Sequence, residues 1–253
     1  MKSAKTNPFT VIRATLETEL PTPGILTISS ALAGDGKTAV AAGIARSLAS
    51  GGYRTLVLDA GVTAELAPGA TREALTLEGA HDRLNHAVRA TGSGCDYLSL
   101  QDIHADVSSS VGIGALYAAI RSRYEYAIVD AGVLNGDGLA LARGADGVVL
   151  AVREGRAIVP ADAEAVELLN RVHARFLGVV ATTERMAPEY GSDANLSDRL
   201  KHRIAPPLPP REPVAVPVPG GVVARLRAAV QPVLAALVVR ARAVVPARTS
   251  PPE

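Results

Sequence analysis

One stretch constrains this chain more than any other. Residues 25–29 read as a buried strand and run straight into Ser29-Ser30-Ala31-Leu32-Ala33-Gly34-Asp35-Gly36-Lys37-Thr38, which leads into a helical pattern with Val40, Ile44 and Leu48 on one face. The glycines allow a turn in which successive backbone N–H groups point inward, and the positive end of the following helix adds to their field. Such a concavity fits phosphate oxygens. Lys37 can then reach the β and γ phosphates of a nucleoside triphosphate, and the Thr38 hydroxyl can hold magnesium. The strict loop pattern opens with glycine, where this chain has Ala31, a common relaxation. A glycine turn before an ordinary helix cap is the plain alternative, but strand, loop, Lys-Thr pair and helix all agree. The expected ligand is ATP with Mg2+, held by Ala33, Gly34, Asp35, Gly36, Lys37, Thr38 and Ala39.

The rest of the body repeats the alternation of short aliphatic runs and helical stretches. Residues 55–58, 126–129 and 147–152 read as further core strands, and 177–181 as a fifth. Their apolar residues are consecutive rather than alternating, as when both faces of a strand are covered. Val166, Leu169 and Val172 show the helical spacing before the fifth strand. The expected fold is α/β, a doubly wound, mostly parallel sheet with helices on both faces, as in P-loop nucleoside triphosphatases. Residues 61–94 are weakly patterned, with a helix expected over 78–89.

With 253 residues and 48% hydrophobic side chains the chain can bury one substantial core, assigned to a nucleotide-binding domain over residues 1–203. Residues 204–221 carry Pro206, Pro207, Pro209, Pro210, Pro213, Pro217 and Pro219, which rules out helix or central strand and predicts an extended linker. Residues 222–253 form an Ala/Val/Arg-rich tail, expected to be helical and divided at Pro232. Its apolar stripe, flanked by Arg225, Arg227, Arg240 and Arg242, suits packing on a domain or partner, or peripheral contact with a membrane surface.

Several classes are disfavoured. A net charge of +1, from 26 basic and 25 acidic residues, gives no global field toward nucleic acid, and 3% aromatics without tryptophan leave little for base stacking, so no nucleic-acid partner is expected. A single cysteine, Cys95, supports neither an internal disulfide nor a thiolate metal cluster. The first ten residues lack the apolar core of a secretory signal, and no window reaches the roughly 20 apolar residues of a membrane span. A cytoplasmic protein is expected.

Two acids end neighbouring strands, Asp59 and Asp130. In an open parallel sheet the strand C-termini line the ligand crevice, so both carboxylates should face the phosphate loop. Asp130 fits an acid that holds the metal through water, and Asp59 could hold the metal or an attacking group. Either could instead cap a helix. Lys37, Asp59 and Asp130 are the candidate catalytic residues, and Thr38, Asp59 and Asp130 the candidate metal ligands.

In order and spacing, the segment at 13–20, the phosphate loop, 55–59, 124–130 and the run from Asp137 to Leu150 resemble the bacterial tyrosine kinases of capsule and exopolysaccharide synthesis, relatives of the MinD and ParA ATPases. The resemblance covers roughly residues 8–181. Leu32 stands where MinD and ParA proteins carry a signature lysine, which the kinase branch also lacks. The resemblance implies ATP-dependent tyrosine phosphorylation, a membrane-bound polysaccharide co-polymerase as activator, homo-oligomers, and recruitment to the inner face of the membrane.

The chain also departs from the kinases. Their Asp-x-Asp-x-Arg pattern reads here Asp59-Ala60-Gly61-Val62-Thr63, their proline three residues after the second acid is Val133, and the asparagine that meets the base has no counterpart at Ala181 or Thr182. Arg13 is near the place of a subunit-contact arginine, while Glu17 stands where a basic residue is expected. No tyrosine follows Tyr190. The expected protein therefore keeps nucleotide binding, and its kinase chemistry is either weak or replaced by a regulatory role. The alternative is a MinD or ParA-like ATPase switch for positioning or partitioning.

Overall fold

The computed structural model describes residues 7–60, 75–103, 109–154 and 159–183. The expected linker and tail, and Gly61 to Thr63, lie outside them. The chain begins with α1 (Pro8–Glu19), β1 (Gly24–Ser30), α2 (Lys37–Ser50) and β2 (Thr55–Asp59). It continues through α3 (Leu77–Ala87), β3 (Arg89–Ala90), β4 (Asp96–Ser99), a 3-10 turn, α4 (Ser110–Arg121) and β5 (Tyr126–Val133). The last described elements are α5 (Gly136–Gly144), β6 (Gly147–Arg153), α6 (Pro160–Arg171) and β7 (Phe176–Thr182).

The seven strands among the described residues form one sheet in the order β3-β4-β2-β5-β1-β6-β7, parallel throughout except for β3 against β4. This is the expected doubly wound α/β sheet. All seven residues of β1 are buried, as are the first seven of β5, which accounts for their uninterrupted apolar runs. One face packs on α1 and α2 through Phe9, Ile12, Leu16, Val40, Ile44 and Leu48. The other packs on α3, α4 and α5 through Leu84, Leu116, Tyr117, Ile120 and Leu141. Ala165 and Leu169 of α6 close the β6 end of that face. No helix among the described residues is long and apolar enough to cross a membrane.

The five expected strands are present with ends shifted by up to a few residues, and α3 lies close to the helix expected over 78–89. The largest boundary difference is in β5, which does not stop before Asp130 but continues to Val133. Ser30 pairs with Val133 after an irregularity between Ile28 and Ser30. A proline at 133 could not continue a central ladder in this way, whereas valine favours it. Gly132, at φ 70°, takes up the local twist. The short β4 had no clear alternation in the sequence and was not anticipated.

Candidate nucleotide and magnesium site

Strand β1 lies between β5 and β6, so connections from its two sides leave in opposite directions and open a crevice at its C-terminal end. The phosphate loop follows β1 at that point. Gly34 and Gly36 have φ values of 80° and 79°, a region a β-carbon disfavours, and both are therefore required as glycine. Gly36 is the N-cap of α2 and provides no side-chain capping bond. By contrast α1, α3, α4 and α5 are capped by Asn7, Thr76, Ser109 and Asn135. Asp35, Lys37, Thr38 and Ala39 are buried within the loop and first helical turn, while Ala33 is exposed and Leu32 forms an exposed apolar shoulder.

The two strand-end acids converge on this loop. Asp59 and Asp130 are direct neighbours across the β2–β5 pair. The Thr38 hydroxyl donates to Asp130 Oδ2 at 2.6 Å. Asp130 Oδ1, buried, has no hydrogen-bond partner among the described residues. Burial pushes the Asp130 carboxyl up to about 6; the Thr38 hydroxyl opposes that rise, the Asp59 carboxylate adds to it, and the Lys37 ammonium opposes it. A buried carboxylate with an unused oxygen, next to a threonine hydroxyl and a second acid, is the donor set of a hard cation. Among the described residues no group of three or more His, Cys, Asp or Glu could form an all-protein cage. Magnesium suits the Thr38–Asp130 pair, because it keeps waters and takes phosphate oxygens alongside one or two protein ligands.

Three further residues shape the site and were not foreseen. The Tyr97 hydroxyl of β4 donates to Asp59 Oδ2 at 2.7 Å and fixes that carboxylate. Burial and the Asp59 carboxylate push the Tyr97 hydroxyl well above the usual phenol range, so it stays a donor. From the far side, Thr182 Oγ1 donates to the Asp35 carbonyl at 2.8 Å, and the Arg153 guanidinium donates to the Gly34 carbonyl. Arg153 and Thr182 end β6 and β7, so the strand-end rule that singled out Asp59 and Asp130 would have found them too.

The fold and this loop define a P-loop α/β protein. A model of the CobQ/CobB/MinD/ParA nucleotide binding domain matches residues 26–196, and the chain belongs to that family. No curated protein sequence matches significantly. Among solved structures, the kinase domain of the Escherichia coli tyrosine kinase ETK is similar over 73% of this chain and 84% of its own, with 17% identity and a TM-score of 0.51. The VpsO kinase domain is similar over 69% of this chain and 92% of its own, at 23% identity and TM-score 0.53. The chimerical protein CapA2B2 is similar over 68% and 82%, at 21% identity and TM-score 0.55. At these identities the likeness is one of fold.

Proposed function

We propose that this chain binds ATP with magnesium and acts as a kinase-like component of polysaccharide synthesis or export, weakly active or regulatory. The observation that carries the binding half is the buried Asp130 carboxylate, bonded to Thr38 and with Oδ1 unpartnered, at the mouth of a phosphate loop. Magnesium bound there would offset the phosphate charge. Thr38 and Asp130 would hold it, directly or through water, Lys37 would contact the β and γ phosphates, and Asp59, oriented by Tyr97, would face the attacking group or a metal-bound water. The kinase half rests on the ordered motifs of the sequence and their resemblance to the polysaccharide-associated tyrosine kinases. By that reading the protein is cytoplasmic and is recruited to the inner face of the membrane by a membrane-bound co-polymerase.

The second acid of the kinase pattern is replaced by Gly61, which separates binding from transfer. Phosphoryl transfer to a tyrosine-containing acceptor should be slow in the wild type, even with a cognate activator. Gly61→Asp should raise it at least tenfold with ATP affinity nearly unchanged, since one acid in such a site contributes on the order of tenfold or more. A folded, ATP-binding Gly61→Asp with no gain, or a wild type already at an ordinary kinase rate, would refute the weakened-kinase reading. An ATP-dependent switch of the MinD or ParA kind is the alternative that family membership supports; Leu32, in place of their signature lysine, counts against it.

A further inference from the structure

Two consecutive peptides of the phosphate loop are held from outside by the ends of β6 and β7. The Arg153 guanidinium donates to the Gly34 carbonyl, and the buried Thr182 hydroxyl donates to the Asp35 carbonyl at 2.8 Å. The Arg153 backbone N–H lies 3.4 Å from Asp35 Oδ1. In a planar trans peptide the carbonyl and the following N–H point in opposite directions. Holding these carbonyls toward β6 and β7 therefore turns the N–H groups of Asp35 and Gly36 the other way. A β-carbon at Gly36 would stand 3.1 to 3.2 Å from the Thr182 hydroxyl, Cβ and methyl, so the threonine also bears directly on the second positive-φ glycine.

We propose that Thr182, assisted by Arg153, is a positioning residue that pre-forms the phosphate-binding nest. The inference rests on the nucleotide-binding reading and deepens it. Pre-ordered amides bind phosphate without first surrendering loop freedom, so removing the hydroxyl should weaken every nucleotide alike.

The test is equilibrium binding of Mg·ATP and Mg·GTP to the full chain. Thr182→Val should weaken whichever of the two the wild type binds by about fivefold to tenfold, and both by the same factor if both bind, as expected for one hydrogen bond lost from a buried carbonyl. Thr182→Ser, which keeps the hydroxyl, should recover affinity to within about twofold. Should Thr182→Val fail to fold, Arg153→Met, at an exposed position, should show a base-independent loss of about fivefold. Unchanged affinity in a folded Thr182→Val, or in Arg153→Met where that variant decides, overturns the inference, as does a loss confined to one base when the wild type binds both. A wild type that binds neither nucleotide overturns the binding reading and this inference with it.

Discussion

Asp130 is a carboxylic acid that the fold takes fully out of water, between the Thr38 hydroxyl on α2 and Asp59 on β2, with Lys37 in the same field. Its folded value of about 6 lies above the ordinary 3.8, so the folded chain binds this proton more tightly than the unfolded chain. The resulting stabilisation is complete below about pH 4 and is lost as pH rises through about 6. A difference of that size corresponds to about 3 kcal/mol. Asp130→Asn should therefore melt higher than wild type at pH 8 without ligand, with the gap closing toward pH 4, as differential scanning calorimetry would read. Magnesium prefers the carboxylate, so the magnesium-dependent part of ATP stabilisation should shrink as pH falls below about 6 and be absent in Asp130→Asn. A variant no more stable than wild type at pH 8 would show that burial of this charge costs little. Asp130 and Asp59 were legible in the sequence because acids at the ends of apolar runs carry a positional rule. Tyr97 was not, since it lies inside a short strand and what matters in it is one hydroxyl whose partner is 38 residues away.

At the scale of elements, strand β1, the loop and α2 could be read directly, because propensity, apolar run and glycine placement agree there. Helix α1 was visible only as a segment related to subunit contact, and its packing depends on a residue that sequence patterning treats as a helix defect. A β-carbon at Gly43 of α2 would lie 2.2 Å from the Phe9 ring, so the glycine is what lets α1 sit against α2. Ser47 Oγ donates to the Phe9 carbonyl, and Arg13 donates to the Ser47 carbonyl while pairing with Glu17. Arg13 is thus engaged within its own chain. Phe9→Ala should destabilise the protein by about 3 to 5 kcal/mol in chemical denaturation, while the folded variant keeps its ATP affinity within about twofold. A loss of affinity without a loss of stability would mean that α1 acts on the loop and does not merely cover α2.

For the whole molecule, the doubly wound sheet followed from the count of apolar runs and the helices between them. The antiparallel β3–β4 edge did not, because strands of two and four residues carry too little pattern to outweigh their glycine-rich surroundings. Among the described residues the last strand ends at Thr182, and the family match ends at residue 196. Removal of residues 204–253 should therefore leave ATP binding and the cooperative melt unchanged, with any effect appearing in membrane or protein association. Insolubility of the shortened chain, or loss of its nucleotide binding, would place those residues in the core. The central claim is that the loop from Gly34 to Thr38, with Asp130, is a magnesium-dependent nucleotide site. Isothermal titration of the full chain with ATP, in magnesium and again in excess chelator, tests it most directly, with Lys37→Ala run alongside as a folded control. The account predicts one site per chain, affinity reduced at least tenfold by chelation, and no measurable heat of binding in Lys37→Ala. Equal affinity in wild type and Lys37→Ala, or no binding by wild type at millimolar ATP and magnesium, would contradict it.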